Sequence, residues 1–367
     1  MSNPRPTSYG AAGVDPIRAD EGLRRLTARL EDTWPPQGMP GAVQLPFGYF
    51  ANVVEFAGRG LAFSTDGVGT KALIAQALGK YDTIGIDCVA MNVNDIICVG
   101  ATPVSLVDYI ALEEAKPDLI DQLSVGLSVG AQRGCVSIVG GEIAQLKDMI
   151  KGDLAAPGYA FDIAGTAVGD VDLNKIIVGA DLVPGDVIIG IESSGIHSNG
   201  FTIARKALFE DARLGIHQMM PELGRTLGEE LLEPTLIYVQ ETLDILQANI
   251  PVKALIHLTG DGFLNLKRVK AEVGFVIDRL HEPPAIFSVI QRCGNLPDQD
   301  MFFIFNMGIG FCLVVPEPFV DQTMALIRAH EKVAYPIGFV TGADPARRVR
   351  IPQYRLVSEG KSFRLDG

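Results

Sequence analysis

The chain has 367 residues, and because domains typically contain roughly 100–200 residues, this length predicts two domains. Hydrophobic residues make up 47% of the chain and charged residues 20%, a balance that excludes a disordered polymer and predicts packed cores. The 44 acidic residues outnumber the 31 basic ones and give a net charge of -13, which argues against nucleic acid and anionic membranes as partners.

The cysteines and the N-terminus indicate the compartment. The five cysteines are an odd number without a Cys-x-x-Cys pair, so we expect reduced thiols rather than a disulfide framework or a zinc ribbon. The first residues, Met1-Ser2-Asn3-Pro4, have no apolar signal segment, and no uncharged stretch approaches the roughly 20 residues that span a bilayer. These features predict a cytoplasmic protein.

The first half of the chain predicts an arm followed by one domain. Residues 1–60 are rich in Pro, Gly and charge, with a helix-like stretch near 21–31, and are predicted to form an N-terminal arm. Beyond them we predict a strand over 61–64, a helix over 70–78 and a second helix beginning at Asp82-Thr83. Strands over 104–111 and 136–139 flank a helix that starts near Pro117, and a strand over 161–168 completes an N-terminal domain over 61–170.

The second half repeats the order of strand, Gly-rich loop and helix. A strand is predicted over 187–191 with a helix from 201, a further strand over 254–258, and a Gly-interrupted strand pair over 305–310 and 311–315. We therefore expect a C-terminal domain over 171–367 with a mixed sheet and helices, in an α+β protein of two α/β sandwich domains.

Between a predicted strand and a predicted helix lies the segment Ser64-Thr65-Asp66-Gly67-Val68-Gly69-Thr70-Lys71. Its two glycines let the backbone approach a ligand, the helix N-terminus attracts phosphate, and Asp66 can hold a metal ion. The spacing differs from that of a P-loop, and spacing alone leaves ligand binding and a structural turn equally open.

The helix that follows is predicted to carry an acidic face, formed by Asp87, Met91, Asn94 and Asp95 at helical spacing. Such a face is most often a solvated surface. However, Lys and Arg are absent from 72–79 and 81–115, which predicts carboxylates without local basic partners that invite Mg²⁺. The carboxylates concerned are Asp66, Asp82, Asp87, Asp95 and Asp108.

Two further segments carry candidate chemistry. Glu142 follows Gly140-Gly141 at a predicted strand end, where it is either a metal or substrate ligand or a simple turn carboxylate. A second strand leads into the run Ser193-Ser194-Gly195-Ile196-His197-Ser198-Asn199-Gly200 and then a helix. Its hydroxyls, amides and helix start suggest a phosphate or oxyanion site, with His197 as the one histidine inside such a loop.

Taken together, these segments resemble the aminoimidazole ribonucleotide synthetase family along nearly the whole chain. The resemblance rests on short motifs in a fixed order, each weak alone. They are Ser8-Tyr9, Ala12-Gly13-Val14-Asp15, Phe47-Gly48, Thr65 to Lys71, Asp82 to Asp87, Val89-Ala90-Met91, Val93-Asn94-Asp95, Gly140-Gly141-Glu142, Ser193 to Gly200, Leu232-Glu233-Pro234-Thr235, His257-Leu258-Thr259-Gly260, Gly294-Asn295 and Phe305 to Gly310.

The resemblance implies a homodimer that pairs the sheets of its N-terminal domains, and an ATP-dependent closure of formylglycinamidine ribonucleotide to aminoimidazole ribonucleotide in purine biosynthesis. It implies Mg²⁺-ATP on Asp66 and Asp95 with Asp87 as a further candidate, and metal ligation that includes Glu142. The other implied roles form three groups. They are nucleotide binding by Gly67, Gly69, Thr70 and Asn94; substrate binding by Ser194, Gly195, Ser198, Asn199 and Gly200; and catalysis by His197, Glu142 and Lys71.

Several positions depart from the family pattern, in segments expected to meet the second substrate. A Lys-Asp pair of the pattern is Gly10-Ala11 here, Thr-Ala-Glu is Ile143-Ala144-Gln145, a Gly is Asp261, and an Arg-Thr pair is Phe303-Ile304. These departures keep two alternatives open: an ATP-dependent enzyme of the same superfamily that phosphorylates another acceptor, or a non-catalytic nucleotide-binding paralogue.

Overall fold

The computed structural model describes residues 16–152 and 156–367. Within these residues two large sheets with helices form two domains, which confirms the predicted two-domain α+β fold. The predicted motif over 8–15 lies outside the described residues. No helix in the described part of the chain is long and apolar enough to cross a membrane.

The first domain contains a five-stranded sheet that follows helix α1 (Pro16–Glu31). Its strands are β1 (Asn52–Phe56), β2 (Arg59–Gly67), β3 (Thr102–Leu112), β4 (Ser137–Gln145) and β5 (Phe161–Val171). They are ordered β1-β2-β5-β3-β4, and every pair is antiparallel except β3 with β4. The sheet thus includes β1, which precedes residue 61.

Helices cover one face of this sheet and leave the other face open. A 3₁₀ turn at Gly69–Lys71 leads into α2 (Ala72–Leu78), and α3 (Ile84–Cys98) and α4 (Pro117–Arg133) follow. Strand residues alternate between the two faces, so Ala62 and Leu106 are buried beneath the helices. Phe63, Val107 and Tyr109 point to the other face, where they are 38%, 42% and 45% exposed.

The second domain contains an eight-stranded sheet. Its strands are β6 (Val187–Glu192), β9 (Ala254–His257), β10 (Val273–Ile277), β11 (Ile309–Val315), β12 (Ala334–Ala343), β13 (Val349–Ile351), β14 (Leu356–Glu359) and β15 (Ser362–Leu365), and a short hairpin pairs β7 (Met219–Met220) with β8 (Arg225–Thr226). The order of strands in the large sheet is β15-β14-β13-β10-β12-β6-β11-β9. The helices are α5 (Phe201–Arg205), which continues as a π-helical turn (Lys206–Asp211), α6 (Leu227–Leu231), α7 (Val239–Gln247), α8 (Ala285–Gly294), α9 (Asp298–Ile304) and α10 (Val320–Ala329).

Two predicted strands have different bounds in the structure. The predicted strand over 305–310 is wrong, because α9 ends at Ile304 and a turn follows in which Met307 and Gly308 have φ of +49° and +92°. The Asn306 side chain holds this turn by accepting a hydrogen bond from the Gly308 N–H at 2.9 Å. Strand β4 continues through Gly140-Gly141 to Gln145, so Glu142 lies within a strand rather than at its end.

All five cysteines are free thiols, as predicted. Cys88, Cys98 and Cys312 are buried, and burial raises the pKa of each of these thiols.

Candidate active site

Helix α3 lies between the two domains and organises the site. Its predicted acidic face is not solvated, because Asp87 and Asn94 are fully buried and the Asp95 side chain is only 15% exposed. The C-terminal domain covers this face. The prediction that the carboxylates lack basic partners is wrong for three of the five: Asp87 pairs with Lys71, Asp82 with Lys80 and Asp95 with His257. Both lysines stand just outside the windows that contain no Lys or Arg.

Asp66 and Asp95 form a pair of neighbouring carboxylates across β2 and α3. Asn92 holds the Asp66 backbone from both sides, accepting from its N–H at 2.9 Å and donating to its carbonyl at 3.1 Å. Burial raises the pKa of Asp66, and the nearby Asp95 carboxylate raises it further. Two adjacent carboxylates in a partly dry interface repel each other, so a cation between them would be stabilised.

This pair fits Mg²⁺ accompanied by a nucleotide better than an all-protein metal cage. No three His, Cys, Asp or Glu side chains converge at a metal-binding distance in the part of the chain that the structure describes. Mg²⁺ commonly binds one or two carboxylates together with phosphate oxygens and water. Asp66 and Asp95 could supply the two carboxylates.

Glu142 lies apart from these two carboxylates. On β4 it is paired in register with Tyr109 of β3, so both side chains point to the open face of the sheet, whereas Asp66 points toward α3. Glu142 is exposed and accepts only from the neighbouring Ile143 N–H, at 3.0 Å. The three predicted metal ligands Asp66, Asp95 and Glu142 therefore do not come together within this chain, because strand alternation places Glu142 on the opposite face of the sheet.

Lys71 and Asp87 form a fully buried ion pair. The Lys71 Nζ lies 2.9 Å from each carboxylate oxygen of Asp87 and also donates to the Glu233 carbonyl at 2.6 Å. Burial lowers the pKa of Lys71, an effect that Asp87 opposes. This arrangement differs from the predicted roles, since neither group faces an open space where a nucleotide phosphate or its metal would bind.

Asn94, which the sequence predicts to bind nucleotide, makes hydrogen bonds to the backbone of the C-terminal domain. Its Nδ2 donates to the Leu236 carbonyl and its Oδ1 accepts from the Tyr238 N–H, both at 2.9 Å. The side chain thus joins α3 to the backbone of the C-terminal domain through both its nitrogen and its oxygen.

The glycine segment turns from β2 into the 3₁₀ turn as the spacing suggested. Gly69 has φ of +64°, a left-handed conformation that favours glycine, and no atom lies within 4 Å of where a Cβ would stand. Gly67 has little space, since a Cβ there would lie 3.1 Å from the Ile163 carbonyl. The Thr70 hydroxyl lies 3.4 Å from the Thr202 hydroxyl of the C-terminal domain, so this segment borders the domain interface.

The loop after β6 faces the same interface, and several of its groups are held internally. Ser194 Oγ donates to the Pro234 carbonyl at 2.7 Å, and Ser198 Oγ donates to Asp87 Oδ1 at 3.0 Å. Gly195 and Gly200 have φ of +148° and +78°. Asn199 is less constrained, because its Nδ2 has only the Met91 sulfur, at 4.0 Å, as a hydrogen-bond partner in the described ranges.

His197 is buried in this loop with a left-handed backbone, φ +61°. Burial lowers the pKa of His197 well below its ordinary value, and His257 and Lys71 lower it further, so the ring is neutral at pH 7. Its Nε2 accepts from the Ser194 N–H at 3.3 Å, which leaves the proton on Nδ1. That Nδ1 has no hydrogen-bond partner among the described residues, so it can serve a ligand.

His257, to which the sequence motifs assigned no role, ends β9. Its Nδ1 lies 2.9 Å from Asp95 Oδ1, and its buried Nε2 has no partner in the described part of the chain. A sequence pattern could have identified His257 as a candidate site residue. It lies near the end of a predicted strand and is followed by Thr259-Gly260, the same order of strand and Gly-rich loop that is found at Asp66.

Protein families and relatives match most of the chain. Residues 49–171 match the family described as AIR synthase related protein, N-terminal domain, and residues 183–349 match its C-terminal domain. The phosphoribosylformylglycinamidine cyclo-ligase of Methanothermobacter thermautotrophicus is 43% identical over 337 residues, which cover 91% of this chain and 94% of the relative. The cyclo-ligase of Methanocaldococcus jannaschii is 43% identical over 91% of this chain and 92% of its own length.

Solved structures show the same fold at low identity. Thiamine-monophosphate kinase from Stenotrophomonas maltophilia has a TM-score of 0.58 at 17% identity, over 84% of this chain and 90% of the kinase. The hydrogenase maturation protein HypE of E. coli has a TM-score of 0.55 at 21% identity, over 79% of this chain and 81% of that chain. At such identities the likeness concerns the fold alone, whereas the identity to the cyclo-ligases establishes descent: the chain belongs to the AIR synthase family.

Proposed function

We propose that this protein is a phosphoribosylformylglycinamidine cyclo-ligase, which closes formylglycinamidine ribonucleotide to 5-aminoimidazole ribonucleotide with ATP and releases ADP and phosphate in purine biosynthesis. The observation that carries the proposal is 43% identity along 91% of the chain with relatives of that name. The fold neighbours at 17–21% identity do not favour a different acceptor, since they resemble the chain in fold only.

The proposed reaction proceeds in two steps, phosphorylation and ring closure. The formyl amide oxygen of the ribotide attacks the γ-phosphorus of ATP, the bond to the β-phosphate oxygen breaks, and ADP leaves. The amidine nitrogen then attacks the activated carbon, the carbon–oxygen bond breaks with release of phosphate, and loss of a proton from nitrogen completes the imidazole. Phosphorylation converts a poor leaving group into a good one.

The nucleotide is proposed to bind where β2 meets α3. Asp66 and Asp95 would hold Mg²⁺, which when bound neutralises charge on the phosphates. The backbone at Gly67 and Gly69, with the Thr70 hydroxyl, lines the approach to these carboxylates. Asn92 and His257 orient the two carboxylate-bearing segments through the contacts at 2.9–3.1 Å described above.

The ribotide is proposed to meet the loop after β6. Asn199 can donate from its amide, whose one partner among the described residues is the Met91 sulfur at 4.0 Å, and the backbone of Gly200 lies beside it at the start of α5. His197, neutral and with a free Nδ1–H, can donate to a substrate oxygen as it becomes charged. The hydroxyls of Ser194 and Ser198 already donate within the protein and the Gly195 carbonyl accepts from Ser193 Oγ, so these three residues are proposed to shape the loop.

A homodimer is proposed through the open face of the five-stranded sheet. Phe63, Val107 and Tyr109 expose apolar surface there, and apolar patches of this kind are typical of interfaces. This pairing would place Glu142, which lies on the same face, against the second copy of the chain. Glu142 would then contact substrate or take part in catalysis at the interface between the two copies.

The experiment that tests the proposed function measures ATP hydrolysis by the purified protein with Mg²⁺. We expect hydrolysis to depend strongly on formylglycinamidine ribonucleotide and not to respond to thiamine monophosphate. Hydrolysis indifferent to the ribotide would overturn the proposal, and phosphate transfer to another acceptor would identify the superfamily alternative. Nucleotide binding without turnover would identify a non-catalytic paralogue.

A further inference from the structure

The buried pair of Lys71 and Asp87 makes contacts with two further segments of the chain, one with Ser198 and one with Glu233 and Thr235. Asp87 Oδ1 accepts from Lys71 Nζ at 2.9 Å, from the Thr235 N–H and hydroxyl at 2.7 Å each, and from the Ser198 hydroxyl at 3.0 Å. Lys71 Nζ donates in addition to the Glu233 carbonyl at 2.6 Å. Both side chains are 0% exposed.

These contacts cross the domain boundary in two places. Lys71 ends the glycine segment of the nucleotide site, and Asp87 lies in the first turn of α3, so both belong to the N-terminal domain. Ser198 belongs to the loop that carries His197, and Glu233 and Thr235 belong to the segment before α7. The pair therefore connects the loop over 193–200 with the glycine segment over 64–71 through direct hydrogen bonds.

The burial of the pair argues against direct contact with nucleotide phosphates. A charged ammonium that left Asp87 for a phosphate would leave a buried carboxylate without its counter-charge, which is strongly unfavourable. A phosphate-binding lysine would instead be expected to point its Nζ at open space.

We propose that Lys71 and Asp87 are positioning residues, which hold the loop of Ser198 and His197 in register with the nucleotide segment, rather than ligands of ATP or its metal. This inference rests on the proposed function for the identity of the reaction. It predicts that the interaction matters as a pair, because removing either charge leaves the other buried alone.

The test compares Lys71→Met, Asp87→Asn and the double variant K71M/D87N. The single variants each leave an isolated buried charge, so we expect kcat with the ribotide to fall at least about tenfold. In the double variant no charge remains unpaired and Asn can still accept from Thr235 and Ser198, so we expect kcat to recover to within about threefold of the wild type. Lys80→Met, which breaks the exposed pair with Asp82, is the matched control and should leave kcat unchanged.

Two readouts separate positioning from phosphate binding. The Kd of a non-hydrolysable ATP analogue with Mg²⁺ should change less than about threefold in the double variant. Amide hydrogen exchange over residues 193–200 should be faster in each single variant and return toward the wild-type rate in the double variant. A tenfold or greater loss of analogue affinity that persists in the double variant would overturn the inference, as would unchanged exchange of the loop in folded single variants.

These readouts also keep this inference distinct from the proposed reaction. If the wild-type protein does not close the ribotide ring, the proposed function fails, while the analogue Kd and the exchange rates still decide whether Lys71 binds phosphate or positions the loop. If a single variant does not fold, the double variant supplies both measurements.

Discussion

His197 combines a left-handed backbone, a buried ring and a side chain held neutral by its surroundings. These properties link its chemistry to the stability of the protein. Its depressed pKa arises from burial first, with His257 and Lys71 as the nearby groups that add to the effect.

His197 should therefore make stability depend on pH. Below about pH 6.5 the unfolded chain takes up a proton on this imidazole while the buried ring does not, so the free energy of unfolding should fall as pH drops below that value. The variant His197→Gln should show a shallower fall between pH 6.5 and 5 in chemical denaturation. His217→Gln removes an exposed histidine and should retain the wild-type slope; equal slopes in all three proteins would contradict the assignment of a neutral buried ring.

The Asp66–Asp95 pair predicts that ATP hydrolysis depends on the charge of Asp95. Asp95→Asn removes one of two charges available to a cation while preserving size, so we expect ribotide-dependent ATP hydrolysis to fall by about 10²–10³-fold. Raising the Mg²⁺ concentration should recover part of the rate, which is measured as phosphate release. Asp82→Asn, at the exposed pair with Lys80, is the control; an Asp95 variant with wild-type hydrolysis would show that the metal lies elsewhere.

The sequence could point to Asp66 and the His197 loop because each follows a predicted strand, and to Asp95 because helical spacing places it on the polar face of α3; the roles of these residues stay predictions. The sequence could not show that Lys71 and Asp87 form a buried ion pair. The Glu233 and Thr235 groups that contact this pair lie about 150 residues away along the chain, so only the folded structure brings them together. The absence of Lys and Arg close in sequence does not predict whether a carboxylate has a basic partner in the fold, because Asp95 pairs with His257 of the other domain.

At the scale of elements, the close packing of α3 on α4 fixes the position of the site. Gly85 in α3 faces the backbone of α4, and a Cβ on it would lie 2.6 Å from the Leu123 carbonyl and overlap the backbone at Gly126 and Leu127. The two helices can approach this closely only because the side chain of Gly85 is a single hydrogen atom.

Gly85→Ala should consequently destabilise the protein. Alanine gains about 1 kcal/mol of helix propensity over glycine, but backbone atoms cannot move aside as a flexible side chain would, so we expect a net loss of about 1–3 kcal/mol in the free energy of unfolding. Gly22→Ala is the matched control in α1, where no atom lies within 4 Å of the new Cβ, and it should be neutral or stabilising. A neutral Gly85→Ala measured by denaturation would show that the helices pack less closely.

Element types were more predictable than their ends. Hydrophobic spacing and Pro117 located α4 correctly, with the helix spanning Pro117–Arg133. The ends failed where side-chain contacts decide them, as at Asn306, whose side chain holds a turn in the predicted strand, and at Gly140-Gly141, which continue β4 instead of ending it. Pairing with β3 supplies the hydrogen bonds that carry the strand through these two glycines.

At the scale of the whole molecule, the open sheet face is expected to be an interface between two copies. Val107→Glu places a charge in the middle of this face, where pairing would bury it at high cost, so the protein should sediment as a monomer with an unchanged circular dichroism spectrum. Val183→Glu alters a similarly exposed valine of the C-terminal domain and should remain dimeric. A monomeric wild-type protein would contradict the proposed assembly.

The most direct measurement of the central claim follows phosphate and aminoimidazole product in the same tube, with purified protein, Mg²⁺-ATP and formylglycinamidine ribonucleotide. The proposed cyclo-ligase reaction predicts equal amounts of phosphate and imidazole at every time point, and neither product when the ribotide is omitted. Phosphate release without imidazole, or ATP binding without either product, would contradict the assignment of ring closure to this chain.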